Sequence, residues 1–394
     1  MRIPSATCLL LACVSAALGE HVDLLDSTRI EGRVISITDK HATITSDGQE
    51  QKIELRDVAE VKLSDASDVM AKVGQEVLCT TAGDTLAVSS LSVQGGHVSF
   101  TMPLLGEARL PMAAAAVFYQ PPQKTTAEEL RVKCREMKLG ASTSDMLVVV
   151  GQKGNWLTAT GLLQAVSERD VAFRWNDKDS KFDRSAVQVI FFGKVAAGRQ
   201  LRAGAVVLID GSIMGFESVS LDGGWAVVRT AGIGQRKIER ERLAAIRFES
   251  DRIVKLTDLK PASLKEYGVL KTFPHRVDRS VGGGPLSLGG RTYETGLGLH
   301  SFCELSYQLD GQFGTFVAVV GIDDAIRPGG DAVLTFLGDG KELGKPLRLT
   351  GREAPKTVRL DVSRVGVLTV RVEFGEYGLD SGDHVDIAAA RLIK

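Results

Sequence analysis

A glycine-rich stretch around one histidine is the part of the sequence whose residue types first suggest ligand chemistry. It reads "GGPLSLGGRTYETGLGLHS" and runs from Gly283 to Ser301. Such a stretch is compatible with a phosphate cradle, a sugar site or plain turns between strands. The spacing is neither GxGxxG nor GxxxxGK[ST], and no helix signal follows, so the helix N-terminus that a phosphate cradle requires is missing. We therefore expect most of these glycines to form turns.

No arrangement of side chains with a known catalytic spacing stands out. GxSxG and HExxH motifs are absent from the sequence, and a glycosidase would need two carboxylates about 5–10 Å apart in a cleft. The pair Glu239 and Glu241 falls in a strand and tight turn, where solvated carboxylates are ordinary. Residues 20–250 also lack the alternating strands and helices of a (β/α)₈ barrel. We predict a non-catalytic protein without a cofactor or a metal site.

Composition and the N-terminal segment indicate an exported globular protein. The chain has 394 residues, 44% apolar and 25% charged, with a net charge of −1 spread over both signs, which argues against nucleic acid as a partner. Residues 1–19 have the anatomy of a signal peptide cleaved near Gly19, and "LLAC", ending at Cys13, resembles a lipoprotein site, the less favoured alternative. No later segment reaches the roughly 20 apolar residues of a membrane span. We expect the protein in the periplasm, at the cell surface or outside the cell.

The first 250 residues contain an internal repeat. Three segments align without a gap at their apolar positions: "KIELRDVAEVKL" from Lys52, "KFDRSAVQVIFF" from Lys181 and "KIERERLAAIRF" from Lys237. A glycine recurs upstream in each of them, at Gly32, Gly161 and Gly215. A looser fourth copy ends in "LPMAAAAVFYQ". Each copy spans about 45 residues of alternating strands with a tight turn, such as Asp47-Gly48.

These repeats predict small, strongly bent β-barrels of SH3-like or Sm-like type. In chain order they form two pairs, residues 20–120 and residues 145–250. Residues 121–144 form a helical linker, in which Thr126 and Glu129 fit a capping box and Gly140 ends the helix. Trp175 is in phase with apolar neighbours and is predicted to be core, whereas Trp225 is predicted to lie on the surface. Three cysteines are predicted to be buried thiols: Cys79, Cys134 and Cys303.

The last third of the chain resembles a known family. After Ser250, glycine turns alternate with strands such as "KTVRLDVS" and "VLTVRVEF", which predicts a jelly-roll β-sandwich and makes the whole chain all-β. The segments "DRSVGGGPLSLGGRTYETGLGLHSFCELSYQLDGQFGTFVAVVGIDD", "GDGKEL" and "GDHVDIAAARL" follow one another as in the NPCBM family of carbohydrate-binding modules. Residues 253–394 therefore resemble an NPCBM module, and the resemblance implies a sandwich that binds sugar.

In such a module, planar polar groups would hold the hydroxyls of a sugar and an aromatic ring would cover its apolar face. We expect the ligand-binding residues to be Asp278, Tyr293, His300, Asp323, Asp324, His384 and Asp386. Tyr307 and Tyr377 are further candidates for a stacking ring. His300 either faces the ligand or is a buried histidine held by the backbone. The run Asp323-Asp324 is interpreted as a solvated turn rather than a calcium site.

Two hypotheses about function follow. The family usually ends in a motif like "DHADWADARL", where this chain has Ile387 in place of the tryptophan and Ala389 in place of the second aspartate. In the favoured hypothesis the protein is a secreted glycan-binding or polysaccharide-binding protein, and its barrel repeats are spacers or bind another envelope or secreted protein. In the alternative it is a cell-envelope scaffold whose sandwich has lost sugar affinity and mediates protein contacts.

Overall fold

The protein consists of two compact units built almost entirely from β-strands, as the all-β prediction requires. The computed structural model describes residues 19–64, 72–140, 143–151, 154–193, 202–269, 271–376, 378 and 380–394. The first unit comprises residues 19–24 and Arg29–Glu249, and the second comprises Leu25–Thr28 and Ser250–Lys394. The predicted signal segment, with Cys13, falls outside the described residues. None of the helices in the described ranges is long and apolar enough to cross a membrane.

In the first unit the same order of strand pairing occurs four times. The first strand pairs with the strand that follows it and with the last strand, and the strands between them form a meander. A single 3-10 turn precedes the last strand of each repeat: Leu55–Asp57, Met112–Ala114, Arg184–Ala186 and Arg240–Arg242. These turns lie inside the segments whose sequences align.

The strands of the four repeats have the following bounds. Repeat 1 contains β1 (His21–Leu24), β2 (Arg29–Glu31), β3 (Arg33–Ile37), β4 (His41–Ser46), β5 (Gln49–Glu54) and β6 (Val58–Lys62). Repeat 2 contains β7 (Glu76–Thr80), β8 (Thr85–Val88), β9 (Ser90–Gln94), β10 (His97–Met102), β11 (Gly106–Pro111) and β12 (Ala115–Tyr119). Repeat 3 contains β13 (Asp145–Val150), β14 (Trp156–Val166), β15 (Asp170–Trp175), β16 (Lys178–Asp183) and β17 (Val187–Phe191). Repeat 4 contains β18 (Gly204–Leu208), β19 (Ile213–Phe216), β20 (Ser218–Asp222), β21 (Trp225–Thr230), β22 (Gly234–Glu239) and β23 (Leu243–Phe248).

The recurring glycine allows the second strand to bend. A Cβ atom at Gly32 would lie 2.3 Å from the carbonyl oxygen of Thr45, and one at Gly161 would lie 2.0 Å from that of Arg174. No side chain fits at either point, because the backbone of the neighbouring strand occupies the space. Before the bend the chain pairs with the first strand of the repeat, and after the bend it forms the first strand of the meander.

Sheet edges in the first unit pair between repeats, and none of the sheets formed by the described strands closes into a barrel. The last strand of repeat 1 pairs with that of repeat 4, with Val61 opposite Ile246, and the last strand of repeat 2 pairs with that of repeat 3, with Phe118 opposite Ile190. Repeats 1 and 4, and repeats 2 and 3, are therefore partners. This arrangement differs from the pairs predicted from chain order, because sequence proximity does not decide which strand edges meet.

Several local predictions for the first unit can be compared with the structure. Helix α1 (Ala127–Glu136) begins with the predicted capping box, since Thr126 Oγ1 accepts from the Glu129 backbone N–H and the Glu129 carboxylate accepts from that of Thr126. The prediction that Trp175 is core is wrong: it is 42% exposed, because it stands at the tip of the β15–β16 hairpin. Trp225 is on the surface as predicted, with the Lys237 ammonium over its ring.

The predicted thiols are all free. Cys134 and Cys303 are buried, whereas Cys79 is only half-buried. Burial raises the pKa of Cys134 to about 11, so this thiol is unreactive at neutral pH.

The second unit is a β-sandwich, as predicted. One sheet has the order β26-β29-β37-β31-β35 with β24 also on β37, and the other has the order β25-β30-β36-β32-β33 with β34 also on β32. A separate hairpin, β27–β28, covers part of the first sheet. The strands are β24 (Ile253–Lys255), β25 (Ser263–Glu266), β26 (Arg276–Val277), β27 (Leu286–Leu288), β28 (Arg291–Tyr293), β29 (Gly296–Leu299), β30 (Cys303–Gln308), β31 (Thr315–Ile322), β32 (Asp331–Gly338), β33 (Lys341–Glu342), β34 (Leu347–Thr350), β35 (Lys356–Asp361), β36 (Val367–Phe374) and β37 (Val385–Ile393). Alternating apolar residues from both sheets fill the space between them.

Candidate functional site

Three aromatic rings from distant parts of the sequence pack together at the ends of β29 and β37. The Phe273 ring centre lies 4.5 Å from that of His300 and 6.1 Å from that of His384. The two imidazole rings are 5.5 Å apart at an angle of 67°. His300 is buried and His384 is half-buried, while 37% of Phe273 is exposed. We call Phe273, His300 and His384 the ring cluster.

Strand register explains why two of these rings and a carboxylate meet. β29 and β31 both pair with β37, and their last pairs place Leu299 and Ile322 opposite Val385. The next residue beyond the ends of these three strands is His300, Asp323 and His384, respectively. Because antiparallel neighbours end at the same edge of the sheet, the three side chains emerge together.

The hydrogen bonds of His300 define its role. Its Nδ1 atom lies 2.8 Å from the carbonyl oxygen of Ser301, which can only accept, so Nδ1 carries a proton and donates to that oxygen. His300 is only 3% exposed. His300 is therefore a buried histidine held by the backbone, which is one of the two alternatives predicted for it. Its ring packs against Phe273.

His384 is the polar member of the ring cluster that solvent can reach. Burial lowers the pKa of His384, the neighbouring His300 lowers it further, and Asp323 partly opposes this effect. The imidazole is therefore neutral at pH 7, where it can both donate and accept hydrogen bonds.

Two buried carboxyl groups, Asp323 and Asp386, adjoin the ring cluster. Burial, together with the hydrogen bond and charge of Asp323, raises the pKa of Asp386 to about 9. At neutral pH Asp386 is therefore protonated. The backbone N–H of Ser287 donates to Asp386 at 3.1 Å, and that of Ala325 donates to Asp323 at 2.7 Å. The other oxygen of each carboxyl group is buried without a hydrogen-bond partner among the described residues.

A glycine of the glycine-rich stretch permits the cover over Asp386. Gly298 pairs with Asp386 across the sheet, and a Cβ atom on it would lie 2.4 Å from the backbone oxygen of Arg279. The segment that contains Arg279 and Ser280 therefore crosses β29 in close contact. This glycine serves packing rather than phosphate binding.

Asp383, which the sequence did not single out, holds the ring cluster in place. It is 1% exposed, and its carboxylate accepts from the Ser301 hydroxyl at 2.5 Å and from the Asp331 backbone N–H at 3.1 Å. Burial raises its pKa, which these hydrogen bonds partly oppose. Asp383 thus fixes the segments that carry both imidazoles. Its position next to His384 in "GDHVD" was the only signal available in the sequence.

Three other predicted site residues lie outside the ring cluster, and two of them hold turns. Asp324 accepts from the backbone of Gly289 and Gly290 in the β27–β28 turn; burial opposes its ionisation, but these bonds keep its pKa below the usual value. Asp278 accepts from the Gly296 backbone N–H at 3.0 Å. Tyr293 is half-buried on β28 with the Arg291 guanidinium over its ring. Ring contacts in the described residues do not connect Tyr293 with the ring cluster.

The remaining aromatic candidates divide between core and surface. Tyr307 is 1% exposed in the sandwich core, so the prediction that it offers a stacking face is wrong. Tyr377 lies outside the described residues. Tyr267, which the sequence analysis did not consider, is 53% exposed and stacks on Phe302 at 4.6 Å. Phe273 and Tyr267 are therefore two separate exposed rings on this unit.

The departures from the family motif fall on packing positions. Ile387 is fully buried in the sandwich core, opposite Leu297 and Val320. Ala389 adopts a φ of +50° where the pairing of β31 with β37 is interrupted. Neither side chain belongs to the ring cluster, so the change at Ile387 alters the core and removes no exposed ring.

Fold and site together define a β-sandwich with an aromatic and carboxyl cluster at its strand ends. Residues 252–393 match the NPCBM/NEW2 domain family, and this part of the chain is an NPCBM domain. A curated protein of Renibacterium salmoninarum, "Putative endo-alpha-N-acetylgalactosaminidase", is 37% identical over 90 residues, which are 23% of this chain and 6% of the relative. The chain thus spans a small part of that relative.

Solved structures that the chain matches include two from Clostridium perfringens. The CBM51 module of GH95 in complex with methyl-galactose is 23% identical, covering 36% of this chain and 99% of its own, with a TM-score of 0.32. The CBM51-2 module in complex with GlcNAc and the INT domains of ZmpB are 21% identical, covering 48% of this chain and 43% of their own, with a TM-score of 0.33.

Proposed function

We propose that this protein is an exported, non-catalytic glycan-binding protein whose ring cluster contacts the sugar. The observation that carries the proposal is the exposed Phe273 ring, which packs at a tilt against a buried imidazole beside two buried carboxyl groups within an NPCBM domain. A sugar ring has an apolar face that an aromatic ring can cover and a rim of hydroxyls that need hydrogen-bond partners. The ring cluster offers both kinds of contact.

Each group has a distinct role in the proposed complex. Phe273 provides the apolar face, and His384, as a neutral imidazole, accepts from one hydroxyl and donates to another. Asp386 is protonated at neutral pH and therefore presents no charge beside His384. Few mobile side chains need to be ordered on binding, because His300 and Asp383 are already buried and hydrogen-bonded.

A glycan array probed with the full chain tests the proposal. The array carries galactose-, glucose- and hexosamine-containing glycans, and we expect saturable binding to a defined group of them. Phe273→Ala removes the proposed platform and should weaken this binding. Tyr267→Ala is the matched control, since it removes another exposed aromatic ring of the same unit and should leave binding unchanged. Equal loss in both variants, or binding retained by Phe273→Ala, would place the site elsewhere.

The lack of catalysis and the export route are parts of the same proposal. Incubation of the full chain with the bound glycans should leave them uncleaved, as judged by mass spectrometry. Export should yield a mature N-terminus near Glu20, whose side chain is buried and bonded to Val34 and Arg240. N-terminal sequencing of the exported protein distinguishes this outcome from acylation at Cys13. The repeats of the first unit then act as spacers or as partner-binding units.

A further inference from the structure

Two junctions in the first unit are built on the same plan and differ in how well their charges are paired. In both, the last strands of two repeats pair with equivalent residues opposite each other, Val61 with Ile246 and Phe118 with Ile190. The first strands of repeats 1 and 2 also occupy equivalent positions. Val22 on β1 pairs with Val61, and Leu78 on β7 pairs with Phe118. Each junction therefore provides an internal control for the other.

We call the junction of repeats 1 and 4 the closed junction. It contains an ion pair whose charged groups are hydrogen-bonded to each other. Glu20, two residues before Val22, lies 2.7 Å from the Arg240 guanidinium and also accepts from the Val34 backbone N–H at 2.8 Å. Both charged side chains are largely buried. The neighbouring positions are occupied by the apolar residues Leu63 and Ala244, which are joined by a hydrogen bond from the Leu63 backbone N–H to the Ala244 carbonyl.

We call the junction of repeats 2 and 3 the open junction. It has the same two charged residue types, but their side chains are not hydrogen-bonded to each other. Glu76 occupies the place of Glu20 and Arg184 that of Arg240, but their charged groups are 3.9 Å apart. Arg184 is 8% exposed, and its Nη1 atom has no hydrogen-bond partner. Where the closed junction has Leu63 and Ala244, the open junction has Gln120 and Gln188, and the Gln120 side-chain oxygen is also buried without a partner.

The electrostatics of the open junction favour an added cation. Burial raises the pKa of Glu76, which shows that Arg184 does not fully compensate the carboxylate, and burial likewise lowers the pKa of Arg184. Both groups line a cleft of about 680 Å³ between the two repeats. Four carboxylates and two guanidinium groups line this cleft: Glu76, Glu168, Asp170, Asp183, Arg169 and Arg184. Its charge is negative, and hydroxyls of Ser89, Ser90 and Ser185 complete its wall.

We infer that the open junction binds a basic side chain of a polypeptide partner, whose guanidinium or ammonium group pairs with Glu76 as Arg240 pairs with Glu20. A peptide meets every requirement of the cleft. Its cation satisfies Glu76, a backbone carbonyl can accept from Arg184, and a backbone N–H can donate to Gln120. A neutral sugar would leave the negative charge of the cleft without a counter-charge. This partner site lies in the first unit and is independent of the proposed glycan site.

Peptide-observed saturation-transfer NMR with the full chain tests the inference. The probes are acetyl-Gly-Arg-Gly-amide and its citrulline analogue, which keeps the shape of arginine and lacks the charge. We expect saturable binding of the arginine peptide and at least tenfold weaker binding of the citrulline peptide. Glu76→Gln should remove the difference between the two peptides. Glu241→Gln, which removes an exposed carboxylate near the closed junction, is the matched control and should preserve it.

A second variant keeps the test valid if Glu76→Gln disturbs folding. The double variant Gln120→Leu and Gln188→Ala gives the open junction the apolar residues of the closed one, and we expect it to fold and to lose the arginine peptide. Equal affinity for both peptides, or no saturation up to about 10 mM peptide, overturns the inference. Binding of a glycan that depends on Glu76 would also overturn it and would mark the cleft as a sugar site.

Discussion

The raised pKa of Asp386 makes the stability of the second unit depend on pH in a defined direction. The pKa of Asp386 is about 9 in the folded chain and 3.8 when unfolded, so between these values the folded state holds one proton that the unfolded state lacks. Stability therefore falls as pH rises, by about 1.4 kcal/mol per pH unit for one proton. Between about pH 6 and about pH 8 the loss from this group is about 2.7 kcal/mol.

Asp386→Asn isolates this contribution. An asparagine has the shape of the protonated carboxyl, can donate to Asp323, and can accept from the Ser287 backbone N–H that donates to Asp386. At about pH 6 the variant should be as stable as the native protein or slightly less so. Between about pH 6 and about pH 8 its free energy of unfolding should rise by about 2.7 kcal/mol relative to that of the native protein. Asp386→Ala, which leaves the Ser287 backbone N–H without its acceptor, should be destabilised by about 1–3 kcal/mol.

Hydrogen exchange followed by mass spectrometry is a suitable assay, because all three tryptophans lie in the first unit and fluorescence would not report on the second. Peptides from β31 and β37 give the free energy of opening at each pH after correction for intrinsic exchange. Parallel pH profiles for the native protein and Asp386→Asn would refute the reasoning, since they would mean that Asp386 is ionised in the folded state.

Three further predictions concern packing and pairing. Glu20→Gln should lower the stability of the first unit by about 3 kcal/mol and Glu76→Gln by less than half as much, because only Glu20 is tightly paired. Urea unfolding followed by tryptophan fluorescence measures both losses. Equal losses would show that both ion pairs are structural. Thr126→Ala should cost about 1 kcal/mol by removing the cap of α1, seen as faster hydrogen exchange in Ala127–Glu136, and unchanged exchange there would contradict it. Gly298→Ala should cost about 1–3 kcal/mol because a methyl group meets the Arg279 backbone, and wild-type exchange in β29 would count against this packing.

Local features of the fold could be predicted from the sequence because their causes are local. The capping box of α1 needs only Thr126 and Glu129, and the β4–β5 hairpin needs only Asp47 and Gly48, which both adopt positive φ. The repeat was visible because equivalent apolar positions recur. The partner of each repeat was not visible, since edge pairing between β6 and β23 depends on contacts between residues far apart in the sequence.

The candidate site shows the same division. His300, His384, Asp323 and Asp386 could be proposed from residue type within the family segments, and strand register brings them together. Phe273 could not, because it lies in an irregular segment before β26 that carries no periodic pattern. Trp175 was assigned to the core from its phase alone, but the strand ends at that residue, and burial requires a covering layer as well as the right phase.

The measurement that tests the central claim most directly is the affinity of the full chain for its best array glycan, compared between the native protein and Phe273→Ala. Truncation of an aromatic anchor costs about 1–2 kcal/mol, so we expect Phe273→Ala to lose affinity by about fivefold to thirtyfold and Tyr267→Ala to keep the native affinity. Native affinity in a folded Phe273→Ala protein, or the absence of any glycan ligand for the native chain, would contradict it.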